Sequence, residues 1–455
     1  MAAKILIIGA SHAGISAGSL LKKSLGARAD VTILEQGIPD ELSFVGADGL
    51  LWVSGDVEFE HVGYTTVEKV QARGIDLQMR TVVTSVDFNT RRVYATQCGE
   101  RLEFEYEYLI LATGSHPVVP DFAAQYIDSP QVQKRVQTMK TLDDAKNLKA
   151  IAEKPSFRKV AVVGGGYIGV ETAETLVKSG VSGEREVSII QSGNRLCNAY
   201  YDDDFSALIH EVCTKNGVKI TYNTRLEELD FDRYDAYILS LGFRANSTLG
   251  GDAIERELGA YKVDEFQKCT VDNVYAIGDA ATSFNNVLHE TQYLAIGSAT
   301  RVTSAVVASH IQGEITGTPA KELRNTGTNA SNGLSVFGVN LGSSGLTLET
   351  AVKRGINAKC KDFTGAALDP ALQKSSPTSQ AAELDGQKMK LRIVYNDDNQ
   401  QILGFQIACN TDIGAYIYFF SSVLQQGMTL SQLETLDLFF LPQLNQLYNP
   451  ISRAL

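Results

Sequence analysis

Twice in this chain of 455 residues a short apolar strand runs into a glycine turn, a small-residue helix and a second apolar strand. The first copy reads Lys4-Ile5-Leu6-Ile7-Ile8, then Gly9-Ala10-Ser11-His12-Ala13-Gly14, a helix up to Lys22, and Val31-Thr32-Ile33-Leu34 ending at Glu35. The second reads Lys159-Val160-Ala161-Val162-Val163, then Gly164-Gly165-Gly166-Tyr167-Ile168-Gly169, a helix, and Val187-Ser188-Ile189-Ile190. Strands this continuously apolar belong to parallel sheets covered on both faces. Two βαβ units therefore organise a chain too long for one hydrophobic core. Tyr108 to Leu111 predicts a strand ending in the turn Ala112-Thr113-Gly114, and Pro117 to Pro120 a crossover out of the first domain. Ala236 to Gly242 closes the second unit, whereas Val274-Tyr275-Ala276-Ile277-Gly278-Asp279 has no place there and predicts a return to the first. From about Asn325 an α+β domain is expected. Leu391–Tyr395 and Ile402–Ile407 would be antiparallel strands around Asn396–Asn399, and Thr411–Met428 a long helix. The fold class is α/β: two Rossmann-like dinucleotide-binding domains, the second inserted in the first, plus the α+β domain.

In the first turn Ser11 stands where G-x-G-x-x-G has its second glycine. Glycine there lets the backbone approach a pyrophosphate; serine is the next smallest polar choice and can itself donate a hydrogen bond. The helix behind the turn presents free N–H groups and a positive dipole end to phosphate. Glu35 lies about 20 residues on, where an acid accepts ribose hydroxyls. A purely structural tight turn is the alternative, disfavoured by the whole strand–turn–helix–strand–acid series. The second turn fits the fingerprint fully, with Glu171 expected on the first turn of its helix. The residue ending its second strand is Gln191, not an acid, so repulsion of a 2′-phosphate is removed and NADH and NADPH both stay open. Arg195 is close enough in sequence to pair with such a phosphate; its alternative is a surface arginine. Asp279 is a candidate ligand for cofactor hydroxyls and equally for the N-cap of a following helix.

A net charge of −12 argues against nucleic-acid binding. The six cysteines show no C-x-x-C spacing, so redox-dithiol and zinc patterns are absent and buried thiols in a reducing cytosol are expected. No metal site is expected. The apolar N-terminal run is too short for a signal segment, and Ile413–Leu424 falls short of a membrane span. A soluble, cytoplasmic protein without membrane contact follows as the expectation.

Taken in order, Gly9 to Gly14 with His12, Ala112-Thr113-Gly114, Gly164-x-Gly166-Tyr167-Ile168-Gly169-x-Glu171, Gly242-Phe243-Arg244-x-Asn246 and Ala276-x-Gly278-Asp279 resemble the FAD-dependent pyridine nucleotide-disulfide oxidoreductases. The similarity is to the branch of NADH oxidases, NADH peroxidases and coenzyme A-disulfide reductases, and extends to a C-terminal dimerisation domain through Gly327-Thr328 and Leu438-Phe439-Phe440-x-Pro442. The resemblance implies an FAD-binding domain over 1–117 and 244–324, an NAD(P)H-binding domain over 118–243 and a dimerisation domain over 325–455. It implies that Gly9, Ser11, His12, Ala13, Gly14, Glu35, Gln36, Val83, Ala112, Thr113 and Gly114 hold FAD, with Gly278 and Asp279 at the ribityl chain. Lys140, Leu294 and Ala295 would approach the flavin. Gly164, Gly166, Tyr167, Ile168, Gly169, Glu171, Gln191 and Gly242 would hold NADH or NADPH, Tyr167 as a gate. Phe440 and Tyr448 would reach the partner subunit of a homodimer, with a tetramer as the larger alternative.

One departure bears on mechanism. Where the branch carries Ser-Phe-Leu-Ser-Cys-Gly, this chain has Ser43-Phe44-Val45-Gly46-Ala47-Asp48, so Ala47 occupies the redox-cysteine position. Alanine cannot climb the thiol oxidation ladder. Cys98, the nearest cysteine, reads as part of a strand. The expectation is an FAD-dependent NAD(P)H oxidase that reduces O2 to H2O2. Its alternatives are an NADH peroxidase or water-forming oxidase in which alanine has replaced cysteine, by design or divergence, and a flavin-binding redox-responsive protein with little turnover. His12, beside that position, would polarise peroxide, or else simply pack on the cofactor.

Overall fold

The structure, a computed structural model, describes residues 2–121, 123, 136–179, 185–318, 323–366, 388–441 and 449–455. They form two compact units: 1–154 with 241–284 and 290–327, and 155–240 with 285–289 and 328–455.

In the first unit, β1 (Ala3–Ile8) is followed by α1 (His12–Leu25) and β2 (Ala29–Leu34). The helix runs a turn past Lys22 and stops at Gly26, whose φ of 55° ends it. Gly18 brings α1 close to the sheet: a Cβ there would meet Ile33 at 3.1 Å and Ile7 at 3.4 Å. Next come α2 (Gly46–Ser54), β3 (Asp76–Gln78), β4 (Tyr108–Leu111) and β5 (Ser115–Pro117). Strand Val274–Ala276 returns to pair with β4, giving a parallel sheet with the order Val274–Ala276, β4, β1, β2, β3. Its centre is apolar on both faces, Ile5, Ile7, Ile33 and Ile110 on one and Leu6, Leu34, Leu109 and Leu111 on the other being essentially inaccessible. β5 pairs antiparallel with Phe243–Ala245, so the outgoing and returning chains run side by side, as an insertion requires. Between β3 and β4 lies an antiparallel meander, Thr81–Asp87, Arg92–Gln97 and Glu100–Glu105. Cys98 is in the turn of that hairpin, exposed and with φ of 50°, rather than in a strand.

The second unit repeats the pattern with β6 (Lys159–Val163), α4 (Tyr167–Lys178), β7 (Glu186–Ile190), β8 (Lys219–Thr221) and β9 (Ala236–Leu239), parallel in the order β8, β7, β6, β9; α3 (Leu142–Glu153) precedes it in the first unit. Its C-terminal part is an antiparallel sheet built from β10 (Asn332–Val336), β11 (Val339–Gly345), β12 (Ala358–Ala366), β13 (Lys388–Asn396) and β14 (Ile402–Cys409), ordered β10, β11, β14, β13, β12. α5 (Asp203–Lys215) and α6 (Leu348–Lys353) lie within the same unit. α7 (Gly414–Gln425) packs on that sheet with Phe420 stacked on Phe405 at 4.2 Å. This helix is shorter than Thr411–Met428. Asp412 Oδ1 takes the Gly414 N–H before it, and Gly427 at φ of 59° lies just beyond it. Among the described residues no helix is long and apolar enough to cross a membrane.

Candidate functional site

Gly9 adopts φ of 106°, and a Cβ there would lie 2.3 Å from the Ala112 carbonyl. A Cβ on Gly14 would lie 1.9 Å from the Gly9 carbonyl. Only hydrogen fits at either place, so the chain can turn tightly from β1 into α1. Ser11 is the exposed N-cap of α1 and makes no side-chain cap, leaving first-turn N–H groups for an anion. Its Oγ lies 3.2 Å from His12 Nδ1. At the end of β2, Glu35 accepts from Ala10 N through Oε2 at 2.6 Å and from Gly37 N through Oε1 at 2.8 Å. The carboxylate is thereby fixed beside the turn with lone pairs to spare. Gln36 is exposed and Val83 half-buried in the meander. The glycine cradle, open helix end and fixed acid fit the adenosine diphosphate half of FAD.

A second cluster in the same unit gathers residues distant in sequence. Lys140 Nζ donates to Ser115 Oγ at 3.1 Å, and Ser115 Oγ donates to Asp279 Oδ2 at 2.8 Å. Lys140 Nζ is also 3.7 Å from that carboxylate and lies over the Phe243 ring at 4.5 Å. Asp279 is inside a 3-10 turn, Gly278–Ala280, whose N-cap is Ile277, so it caps no helix. Thr113 Oγ1 donates to the Asn246 carbonyl at 2.6 Å, tying the turn after β4 to the returning strand. Leu294 and Ala295 are half-buried just before helix Gly297–Thr316.

His12 packs against Tyr64 with ring centroids 4.9 Å apart. Burial lowers its pKa, outweighing the Asp279 and Asp48 charges that would raise it; Lys140 pushes the same way as burial. Ala47 is exposed in the first turn of α2, immediately before Asp48. The loop before it is held by Ser43, whose left-handed φ of 62° is secured by Oγ accepting from Tyr64 N and Thr65 N, each at 3.0 Å.

In the second unit Gly164 has φ of 109°, and a Cβ on Gly169 would lie 1.9 Å from its carbonyl, matching the first turn. Gly166 is the N-cap of α4 and has open space around it. Gln191 Oε1 accepts from Gly165 N at 2.9 Å. Tyr167 Oη donates to Tyr201 Oη at 2.9 Å and pairs with Asn332 Oδ1, while its ring stacks on Tyr200 at 4.3 Å. Ile168 is half-buried beside it. Glu171 lies one turn inside α4 rather than in its first turn, because the helix begins at Tyr167. Burial, with Glu174 adding repulsion, pushes its carboxyl up to about 7. Arg195 is not a surface arginine: its side chain is 13% exposed and paired with Asp203 and Glu349. Gly242, exposed with φ of 92°, belongs to the first unit, where its carbonyl accepts from Val118 N.

Residues 3–310 match the family model described as pyridine nucleotide-disulphide oxidoreductase, and residues 333–449 that family's dimerisation domain. The chain belongs to the pyridine nucleotide-disulphide oxidoreductase family. Its members use FAD and NAD(P)H, and the chain is an NAD(P)H-dependent oxidoreductase of the NADH-oxidase type. It is 31% identical to an NADH oxidase of Streptococcus pyogenes over 99% of this chain and 98% of that one, and equally identical to one of Lactococcus lactis over 99% of each. Among solved structures, the water-forming NADH oxidase of Lactobacillus brevis superposes with a TM-score of 0.86 at 23% identity, covering 100% of this chain and 97% of that one. A NAD-dependent persulfide reductase from A. fulgidus gives the same TM-score at 23% identity, over 99% and 82%. At that identity they speak for the shared fold.

Within this oxidoreductase the sequence-derived candidates separate into a first-unit set around Gly9, Glu35, Lys140 and Asp279 and a second-unit set around Gly164, Tyr167 and Gln191. Phe440 is exposed, and Pro442 and Tyr448 lie outside the described residues. Sequence reasoning passed over Ser115, Tyr64, Tyr200 and Tyr201. Ser115 adjoins the Ala112-Thr113-Gly114 turn and was within reach of a motif argument. The others carry no local signal. The cysteines are less uniformly buried than expected: Cys197, Cys213 and Cys409 are buried, Cys269 and Cys360 half-buried, and Cys98 exposed.

Proposed function

We propose that this chain is an FAD-dependent NAD(P)H oxidase that reduces dioxygen to hydrogen peroxide and works as a homodimer. The observation that carries the reading is Ala47, exposed at the head of α2 next to Asp48, which with Asp279 acts electrostatically on His12; the segment 43–49 contains no cysteine. The overall reaction is NAD(P)H + H⁺ + O2 → NAD(P)⁺ + H2O2, balanced in electrons and protons. Going on to water takes two further electrons and cleavage of the O–O bond, for which a sulfenic acid-forming thiolate is suited and alanine is not. Bound FAD supplies the capacity to accept two electrons from NAD(P)H and to deliver them to oxygen.

The chain's own groups bind, orient and manage protons. The N–H groups at the head of α1 would take the FAD pyrophosphate, with Ser11 in place of the second glycine, and Glu35 the adenosine ribose. Asp279, steadied by Ser115, would accept from ribityl hydroxyls. Lys140 would place a positive charge near the flavin. Gly164 to Gly169 would cradle the NAD(P)H pyrophosphate, with Gln191 at its ribose. Burial favours a neutral His12 near pH 7, so the imidazole carries one N–H; in the tautomer in which Ser11 Oγ donates to Nδ1, Nε2 would be the donor that steadies negative charge on reduced oxygen. The relatives' own names support oxygen as acceptor, and the water-forming label of the Lactobacillus brevis enzyme makes product the deciding measurement. The dimerisation-domain match and the exposed Tyr418 and Phe439 support a homodimer, which light scattering tests.

Anaerobic stopped-flow mixing with NADH and NADPH, followed by paired oxygen and peroxide electrodes, tests the proposal. Flavin that stays unbleached with both cofactors overturns the oxidase reading. Peroxide well below one per NAD(P)H consumed overturns the product.

A further inference from the structure

We infer that Glu349 sets cofactor preference, holding the Arg195 guanidinium in an ion pair so that NADH is preferred over NADPH. The inference rests on the proposal that the second glycine turn binds NAD(P)H.

Arg195 starts beside the ribose corner of that turn. Gln191, which follows the second strand of the unit where Rossmann folds read the 2′-position, donates from Nε2 to the Arg195 carbonyl at 3.3 Å. Two residues later Cys197 N donates to the Gly165 carbonyl at 2.7 Å, wrapping the loop over the glycines. An arginine at such a place is the residue type that accommodates a 2′-phosphate, through a two-pronged pair of hydrogen bonds. Here both prongs are taken. Nη1 lies 2.5 Å from Asp203 Oδ1, and Nη2 pairs with Glu349 Oε2. A 2′-phosphate would compete with two carboxylates for one fork and add its own negative charge beside them.

Of the two partners Glu349 is the fixed one. Asp203 is 82% exposed, and an exposed ion pair holds little. Glu349 is anchored by its backbone: its N–H and that of Leu348 donate to the Asp202 carboxylate at 3.0 and 3.2 Å. Asp202 is in turn held by Gln406 and Arg392. Lys353, one turn on, pairs with the other Glu349 oxygen at 2.9 Å and orients the carboxylate. The Arg195 hydrogen bond keeps the Glu349 carboxyl below its ordinary range, so it stays charged at neutral pH. A residue more than 150 positions from the glycine turn thereby occupies the arginine that loops back to Gln191 and that a phosphate would seek.

Titration calorimetry with two redox-inert fragments, ADP-ribose and 2′-phospho-ADP-ribose, tests this on the flavin-loaded full chain. Glu349→Gln keeps size and loses charge; it is expected to tighten 2′-phospho-ADP-ribose by about fivefold or more and to leave ADP-ribose within about twofold. Adding Arg195→Ala is expected to abolish that gain, and the NADPH KM should follow the same order. A Glu349→Gln protein with no gain overturns the inference, as does a gain that survives Arg195→Ala. A wild-type chain that binds neither fragment overturns instead the nucleotide reading on which it rests.

Discussion

Replacing Arg392 by methionine should strip the second unit of a cation that engages three carboxylates. Arg392 is 11% exposed and reaches Asp202 at 3.2 Å, Asp204 at 3.0 Å and Asp362 at 2.8 Å. Its own pKa is held further up, first by the Asp362 hydrogen bond. The three partners do not lose equally. Asp204 and Asp362 are 39% and 42% exposed, so water replaces much of what they lose, and Asp204 keeps Lys390 at 2.6 Å. Asp202 is 7% exposed and would be left as a buried anion without a cation. Breaking a buried pair costs about 3–5 kcal/mol. Asp202 retains donors from Gln406, Leu348 and Glu349, which brings the expectation to about 2–3 kcal/mol. In a unit of roughly 220 residues that lowers the midpoint by about 4–12 °C. Scanning calorimetry of the full chain reads the shift. Asp202→Asn in the methionine background should recover part of it, because the uncompensated charge is then gone. A shift under about 2 °C, or a double variant less stable than Arg392→Met alone, would refute the argument.

Three further outcomes are expected. Ala47→Cys should lower the peroxide formed per NADH, read by paired electrodes; an unchanged ratio would show that Ala47 is not at the reacting centre. Glu35→Gln leaves a single acceptor for the N–H groups of Ala10 and Gly37 and removes the charge, so FAD should bind about tenfold or more weakly when apoprotein is titrated by flavin fluorescence. Glu171, raised from 4.5 to about 7, binds its proton more tightly folded than unfolded. Stability from that group is therefore full below pH 4.5 and falls as pH rises through 7, by about 3 kcal/mol in all, and Glu171→Gln should flatten this part of the curve in denaturant titrations.

Fold was legible where the signal is local. A buried parallel strand needs four or five apolar residues in a row, and a tight strand-to-helix turn needs glycine at set places, so β1 to β2 and β6 to β7 announce themselves. The insertion was legible from one misfit, Val274–Ala276, which could only complete the first sheet. The hairpin around Cys98 was missed although Gly99 follows it, the kind of residue pair that closes a two-residue turn. Asp279 was read as a possible cap because its sequence surroundings do not distinguish a 3-10 turn from a helix start.

Several side-chain contacts at these sites lie beyond sequence reasoning because they join residues distant along the chain. Ser115 meets Asp279 across 164 positions, Tyr167 meets Asn332 across 165, and Arg195 meets Glu349 across 154. Periodicity and spacing cannot register such pairs. They bear on the chemistry all the same: the arginine that sequence offers as either a phosphate ligand or a surface group is largely buried and held by two carboxylates. Ala47 is the converse case. Its meaning lies in a side chain that is missing, and absence at a position is legible only against a pattern that defines the position. The structure adds that Asp48, next in the chain, and Asp279 act electrostatically on His12, an imidazole whose pKa burial lowers. An imidazole can handle a proton, but an alanine offers no thiolate to take up an oxygen atom from peroxide, and on that difference the proposal of peroxide rather than water rests.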